Sequence, residues 1–317
     1  MASETTLGSG RRNWLPTWLA GDTVQGIRRQ RMVLGVLFLL PTLIGLIVFV
    51  LAPIVVAVAL GFMKWNVFRP PEFIGLKNFA RLFQHELVGN SFSNTFVMMA
   101  MTVGMLEVFA ISLALSVHRF ARSRLAYIFR TVWFLPVLLS GVSVAVTLSY
   151  LFHTDFGVVN YYLGVLGIDK VPWLVSSDVV RFSVSLATVW RNLGFTFIIY
   201  LGGVSALPQE ILEAATVDGA RGLRRLWLVT LPLLSPTILF ATVIDVIRLL
   251  QFFDEPYVMT RGGPGDSSRT AVMMVYDTAF ANLEFGYASS ISVILFLIIL
   301  AVTGFQFLLS RRWVFYQ

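Results

Sequence analysis

Cysteine is missing from all 317 residues. Its absence excludes disulfides, thiolate metal sites and thiol nucleophiles, and leaves the redox compartment unreadable. Charge is scarce too, at 13% of the chain, against about 25% in an ordinary soluble domain. His85, His118 and His153 are scattered without metal-ligand spacing, which suits surface or interface positions. There is no HExxH, no nucleophile elbow and no convincing carboxylate pair, so nothing supports a membrane-embedded enzyme. The glycine-rich "TRGGPGDSS" (Thr260–Ser268) lacks a following Gly-Lys-Ser/Thr and reads as a turn-rich loop rather than a phosphate cradle. A repeat of 20 to 50 residues and a recognisable soluble domain are also missing.

What is present in excess is apolar: 57% of residues are hydrophobic, and several runs exceed the roughly 18 to 20 residues that cross a bilayer as a helix. The chain reads as an all-α integral membrane protein. Six spans are expected, at roughly 32–62, 92–117, 127–152, 182–206, 233–254 and 287–310. The first would be about 46 Å long at ~1.5 Å per residue. It therefore tilts, kinks near Pro41 or Pro53, or protrudes from a hydrocarbon core of about 30 Å. It is also too long for a signal-peptide core, despite a basic leader and the "AVA" at Ala57–Ala59.

The net charge of +7 invites a nucleic-acid reading, but the arginines sit at the ends of apolar runs. With the N-terminus inside, 13 Lys and Arg face the cytosol and 8 face outward. The positive-inside rule thus places both termini in the cytosol, with the arginine-dense "HRFARSR" (His118–Arg124) on the same side. The expected organisation is a cytosolic tail 1–31, a six-helix transmembrane domain 32–310 and a cytosolic tail 311–317. In an outer segment, "LKNFARLF" (Leu76–Phe83) puts Leu76, Phe79, Leu82 and Phe83 on one face of a short interfacial helix.

The inner connector 208–232 is unusually elaborate. Glu210, Glu213, Asp218, Arg221, Arg224 and Arg225 crowd into it. Pro208 suits a first helical turn and Glu210 complements the positive end of the dipole. Ala214 and Ala215 leave a side-chain-poor face, and Gly219 permits a backbone conformation closed to other residues. A second helical piece is expected at Arg221–Val229, ended by Leu231–Pro232 before the fifth span. On physics alone this helix–turn–helix fits a solvated amphipathic connector as well as a docking element.

The spacing Glu213-Ala214-Ala215, Gly219, Val229, Leu231-Pro232 resembles the hallmark of binding-protein-dependent ABC importer permeases, with Val where isoleucine is commoner. "FIGLKNFARLF", "VPWLVSSDVVRFSVSLATVWRNLGF" and "VMTRGGPGDSSRTAVMMVYDTAF" are similar to the carbohydrate-uptake branch, and specifically to its maltose-type and glycerol-phosphate-type first permeases. The resemblance covers most of 73–310; the tail 1–31 matches nothing. It implies a type I ABC importer permease fold in the inner or plasma membrane of a prokaryote. The helix Glu213–Gly219 would dock on an ATP-hydrolysing subunit, with Glu213 and the arginines making charged contacts and Ala214, Ala215 and Gly219 allowing close packing; Asp218, Arg221, Leu231 and Pro232 complete the coupling segment. The implied partners are a second, different permease, two ATP-binding subunits that hold ATP and magnesium, and an extracytoplasmic substrate-binding protein. The chain itself would carry no cofactor and bind no nucleic acid.

Charges within the spans cost about 2.5 to 3.5 kcal/mol each at the bilayer centre and need partners or a wet cavity. Asp245 and Arg248, three apart, can neutralise each other. Alternatively Asp245, Arg248, Gln251, Asp254 and Tyr257 line a substrate path with Arg191 and Asn192 of the fourth span. Arg130 suits a snorkelling anchor, and Glu107 has no partner that the sequence assigns. The expected cargo is a sugar or oligosaccharide, with glycerol 3-phosphate or a related polyol phosphate as the alternative. A gradient-driven carrier is a more distant alternative, since repeated broken helices and a midplane ion site are not evident.

Overall fold

The computed structural model describes residues 24–119 and 123–315. Most of the expected tail 1–31, the centre of "HRFARSR" and the last two residues lie outside them. The chain divides into two compact units, 1–57 and 58–317. The first contains α1 (Val24–Leu46), with Pro41 inside it, and a π turn at Ile47–Leu51 leading into α2 (Ala52–Gly61). Together they form one apolar span, Arg28–Gly61.

The second unit takes in the end of α2 and then a two-stranded hairpin, β1 (Met63–Lys64) antiparallel to β2 (Glu72–Phe73), followed by α3 (Lys77–Gln84). In α3, Leu82 is buried and Phe79 half-buried, whereas Leu76 and Phe83 are exposed. The spans then follow: α4 (Glu86–His118), α5 (Arg124–Leu138) with α6 (Gly141–Leu151), and α8 (Val180–Ser205). A short α7 (Val158–Val165) precedes α8. Next come α9 (Gln209–Val217), α10 (Gly222–Arg225) and α11 (Leu231–Leu249). The short α12 (Asp254–Thr260) and α13 (Ala271–Tyr276) lead to the last span, α14 (Phe285–Ser310).

Among the described residues five helices are long and apolar enough to cross a membrane, or six if the bent pair α5–α6 counts as one span. The expected third span is therefore not one rod: its halves meet at 102°. Pro136 has no N–H to continue the helical ladder, and Leu139 is extended. Gly141 at the bend faces the Arg191 and Asp254 side chains, which a Cβ would overlap.

The fifth span differs from expectation at both ends. Leu231–Pro232 does not end the preceding helix, because α10 runs into α11 through a π turn at Leu226–Thr230. That wider turn re-registers the ladder where Pro232 lacks a donor. At the far end α11 stops at Leu249 rather than 254, so Gln251 lies in a turn and Asp254 opens α12.

The core is a seam between α4 and α8. Met98, Thr102, Leu106, Ala110, Ala114 and Val117 recur every three or four residues and are all buried, so one stripe of α4 faces inward. The alanines let backbones approach closely where lipid supplies no hydrophobic drive between helices. Gly194 of α8 does the same against the Trp133 carbonyl of α5. Thr95 and Thr188 return their hydroxyls to the carbonyls of Ser91 and Val184 at 2.7 and 2.8 Å, which satisfies them within their own helices.

Candidate functional site

The connector between α8 and α11 forms from local chemistry. Pro208 caps α9, which ends in a left-handed Gly219 at φ +83°. The Ala220 amide donates to the Ala215 carbonyl (2.9 Å) and the Gly219 amide to the Thr216 carbonyl (3.2 Å), the paired bonds of a glycine-terminated helix. Nothing lies within 4 Å of where a Gly219 Cβ would be. Its glycine is required by the backbone rather than by crowding inside the chain. Glu213, Ala214, Asp218 and Arg221 are exposed, and Ala215, Leu231 and Pro232 half-buried. Val217 is 87% exposed, with Leu223 and Trp227 also open. Arg225 donates to Thr216 at 3.3 Å and ties the second turn to the first helix.

A second constellation lies where α8 meets the end of α11 and the start of α12. A cavity of about 300 Å³ is lined by Thr188, Arg191, Asn192, Arg248, Gln251 and Glu255, with Leu249 and Phe252. Arg191 donates to Glu255 at 2.8 Å and reaches Asp254 at 3.5 Å. The Glu255 side chain is 2% exposed, so this ion pair is largely withdrawn from water. Arg248 donates to Asn192 Oδ1 at 2.9 Å, with its guanidinium 4.8 Å from the Phe195 ring centre. Gln251 Nε2 is spent on the Ile247 carbonyl at 2.9 Å, which leaves its carbonyl oxygen as an acceptor.

Four sequence-derived candidates (Arg191, Asn192, Arg248 and Gln251) thus line one cavity, and Asp254 adjoins it through Arg191. Two others do not. Tyr257 belongs to an aromatic group, 4.6 Å from Phe253 and 5.3 Å from Tyr276, with Arg261 over its face at 4.3 Å. Asp245 is buried deeper and accepts from Thr196 at 2.8 Å. Asp245 and Arg248 each bond across to α8 and make no direct ion pair with each other. Their three-residue spacing put both on one side of α11, and that side faces α8. Glu255 and Thr188 were missed as site residues; no local pattern distinguishes them, and α12 was not anticipated.

Glu107 finds its partners on two other helices. It accepts from Tyr200 of α8 and, at 2.9 Å, from Thr242 of α11. One carboxyl on α4 thus bonds to both helices that flank the connector. Asn94, near the start of α4, donates to the carbonyls of Asp266 (2.7 Å) and Arg269 (3.2 Å) and holds the 260–270 loop. Burial works against the charge on Arg269. Bonds and charge from Asp266 and Asp277 outweigh it and raise the guanidinium above its ordinary value.

Residues 108–315 match the family of binding-protein-dependent transport system inner membrane components. The chain belongs to that family. The permease is 32% identical over 277 residues to the sulfoquinovosyl glycerol transport system permease protein of Agrobacterium fabrum, covering 86% of this chain and 88% of the relative. It is 30% identical over 274 residues to a trehalose/maltose transport system permease protein of Thermococcus litoralis, covering 85% and 91%. Its fold matches a bacterial alginate ABC transporter chain with a TM-score of 0.78 at 24% identity, covering 91% of this permease and 96% of that chain. The family is one of ABC transporter permease subunits, inner membrane components that work with a binding protein, and the permease is accordingly a multi-pass membrane subunit of an importer. The type I permease fold expected from the sequence is the one observed.

Proposed function

We propose that this permease moves a neutral sugar or oligosaccharide inward through the cavity between α8, α11 and α12, driven by ATP that separate subunits hydrolyse. The observation that carries the reading is the charge balance of that cavity. Arg191 and Arg248 are matched in number by Glu255 and Asp254, both of which Arg191 contacts, so the site carries no net positive charge for an anion. The Gln251 carbonyl oxygen is left as a neutral acceptor in a cavity that Phe252 also lines, which suits polyhydroxyl recognition. The relatives that transport sulfoquinovosyl glycerol and trehalose/maltose lend support.

Within this reading the segment 208–232 is cytosolic, with Glu213, Ala214, Ala215, Asp218, Gly219, Arg221, Leu231 and Pro232 forming the surface that meets an ATPase subunit. Both termini lie on that side. The tails 1–31 and 311–317 flank the transmembrane domain 32–310. The working assembly contains a different second permease, two ATPase subunits carrying ATP and magnesium, and an extracytoplasmic binding protein, in a prokaryotic inner membrane. The permease contributes no chemistry of its own. A second reading takes glycerol 3-phosphate as cargo, favoured by 30% identity to the sn-glycerol-3-phosphate transport system permease protein of Agrobacterium fabrum over 92% of this chain. Uptake by the assembled complex in proteoliposomes, with labelled neutral sugars against labelled glycerol 3-phosphate, decides between them. Uptake confined to the phosphate ester overturns the first reading.

A further inference from the structure

Taking the bent α5–α6 pair as one span puts three crossings (α4, α5–α6 and α8) between the connector and a cavity of about 310 Å³ among the β1–β2 hairpin, α3 and the start of α14, on the opposite side of the bundle. This is the lower end of the range of about 300 to 1,000 Å³ for small-molecule sites. Lys64, Arg69, Lys77 and Arg81 line it, against Glu72 and Glu284. Arg81 is bound to Glu284 at 2.8 Å and lies over the Tyr287 ring at 4.1 Å. No ion pair occupies Lys64, Arg69 or Lys77 among the described residues. The cavity therefore presents a surplus of cations.

Two polar atoms on its wall are buried with no hydrogen-bond partner among the described residues: the Tyr287 hydroxyl and Asn66 Oδ1. Tyr287 is 3% exposed. Orphaned buried groups of this kind are rare and call for an absent partner. A phosphate oxygen accepts from the Tyr287 hydroxyl, and Asn66 Oδ1 accepts from a hydroxyl of the same ligand.

The position of the cavity selects the ligand's source. Asn78 donates to the carbonyls of Gly61 (3.0 Å), where the first span ends, and of Met63 (2.9 Å). The Gly286 amide, at the opening of the last span, donates to the Trp65 carbonyl at 3.2 Å. The cavity thus sits beside the end of α2 and the opening of α14. Around it Val67, Phe68, Phe73, Leu76 and Phe83 are exposed, a fringe of apolar side chains that suits the headgroup–acyl boundary. We infer that this cavity binds the headgroup of an anionic phosphodiester lipid bearing hydroxyls, of the phosphatidylglycerol class, in the leaflet opposite the connector. The cations and the Tyr287 hydroxyl hold the phosphate, and Asn66 takes the headgroup hydroxyl.

The test is native mass spectrometry of the full chain in mixed micelles of phosphatidylglycerol and phosphatidylcholine, with melting temperature in each lipid as a parallel readout. Wild type is expected to retain phosphatidylglycerol preferentially. Arg69→Ala/Lys77→Ala should weaken that preference by about fivefold per cation, so roughly 25-fold. Tyr287→Phe, which deletes only the unpartnered hydroxyl, should weaken it about fivefold. Melting in pure phosphatidylcholine should be the same for all three. Equal retention of the two lipids by wild type overturns the inference. So does displacement of the lipid by millimolar inorganic phosphate, which would mark a soluble-anion site. Unchanged lipid retention in the double variant with loss of binding-protein docking would assign the surface to a protein partner instead.

Discussion

The Glu107 cluster and the connector 208–232 are joined by the same two helices yet handle polarity in opposite ways. In the first, Glu107, Tyr200 and Thr242 are bonded to one another, as are Asp245 and Thr196, so the groups stabilise the bundle and have little left to offer a visitor. In the second, Glu213, Asp218 and Arg221 are exposed and Val217, Leu223 and Trp227 face outward. One region closes on itself; the other leaves its charged and apolar side chains open. Stability and function should therefore separate cleanly between them.

The largest expected effect breaks function and spares the fold. Gly219→Leu forces a side chain into a left-handed conformation at a cost of about 1 to 2 kcal/mol, and places bulk on an open surface. Substrate-stimulated ATP hydrolysis by the assembled complex should vanish, as it should for Glu213→Lys, while melting temperature shifts little. Full stimulation in both would remove the docking role of the segment.

Glu107→Ala should do the reverse. It leaves the buried Tyr200 hydroxyl without its acceptor, at about 1 to 3 kcal/mol, and frees the half-buried Thr242 hydroxyl, so melting temperature in detergent should fall clearly. Glu107→Gln keeps an acceptor oxygen and should recover most of the loss. Equal melting of the alanine and glutamine variants would show that the carboxyl does not hold α8 and α11 to α4.

Between these extremes sits the cavity, where polar groups are bonded but reachable. Glu255→Gln removes the buried partner of Arg191 and weakens a charge-assisted bond, so half-saturation of uptake should rise by roughly tenfold. The freed guanidinium should also raise binding of phosphorylated polyols relative to neutral sugars; an unchanged ratio would separate Arg191 from cargo selection. Smallest is Gln251→Ala, which removes one exposed neutral bonding group. The concentration giving half-maximal uptake should rise about fivefold, with basal ATP hydrolysis intact.

Much of this was legible from periodicity and spacing. Apolar runs gave the spans because lipid demands length, and the Glu213 to Pro232 spacing located the connector because its turn needs glycine and its helix needs a start. What sequence could not supply was which helix faces which. Glu107 has no polar neighbour one turn away, and its partners are 93 and 135 residues distant. Asp245 and Arg248 suggested a local pair because a single helix shows only its own neighbours. The break at Ser140–Gly141 was likewise hidden: Pro136 and Gly141 are both tolerated inside straight membrane helices, and only the neighbouring Arg191 and Asp254 require the space that glycine leaves.

Gly141 and Gly194 then bear on how this sequence can drift. Each occupies a place where a single methyl group would collide, with charged side chains at Gly141 and with the Trp133 backbone at Gly194. A hydropathy scale ranks glycine to alanine among the mildest exchanges in a membrane helix, and a library built to preserve hydropathy would admit it freely. In this bundle the exchange should be purged at both positions, while the exposed leucines and phenylalanines of α14 can trade places with one another. Variation is limited here by backbone proximity rather than by greasiness.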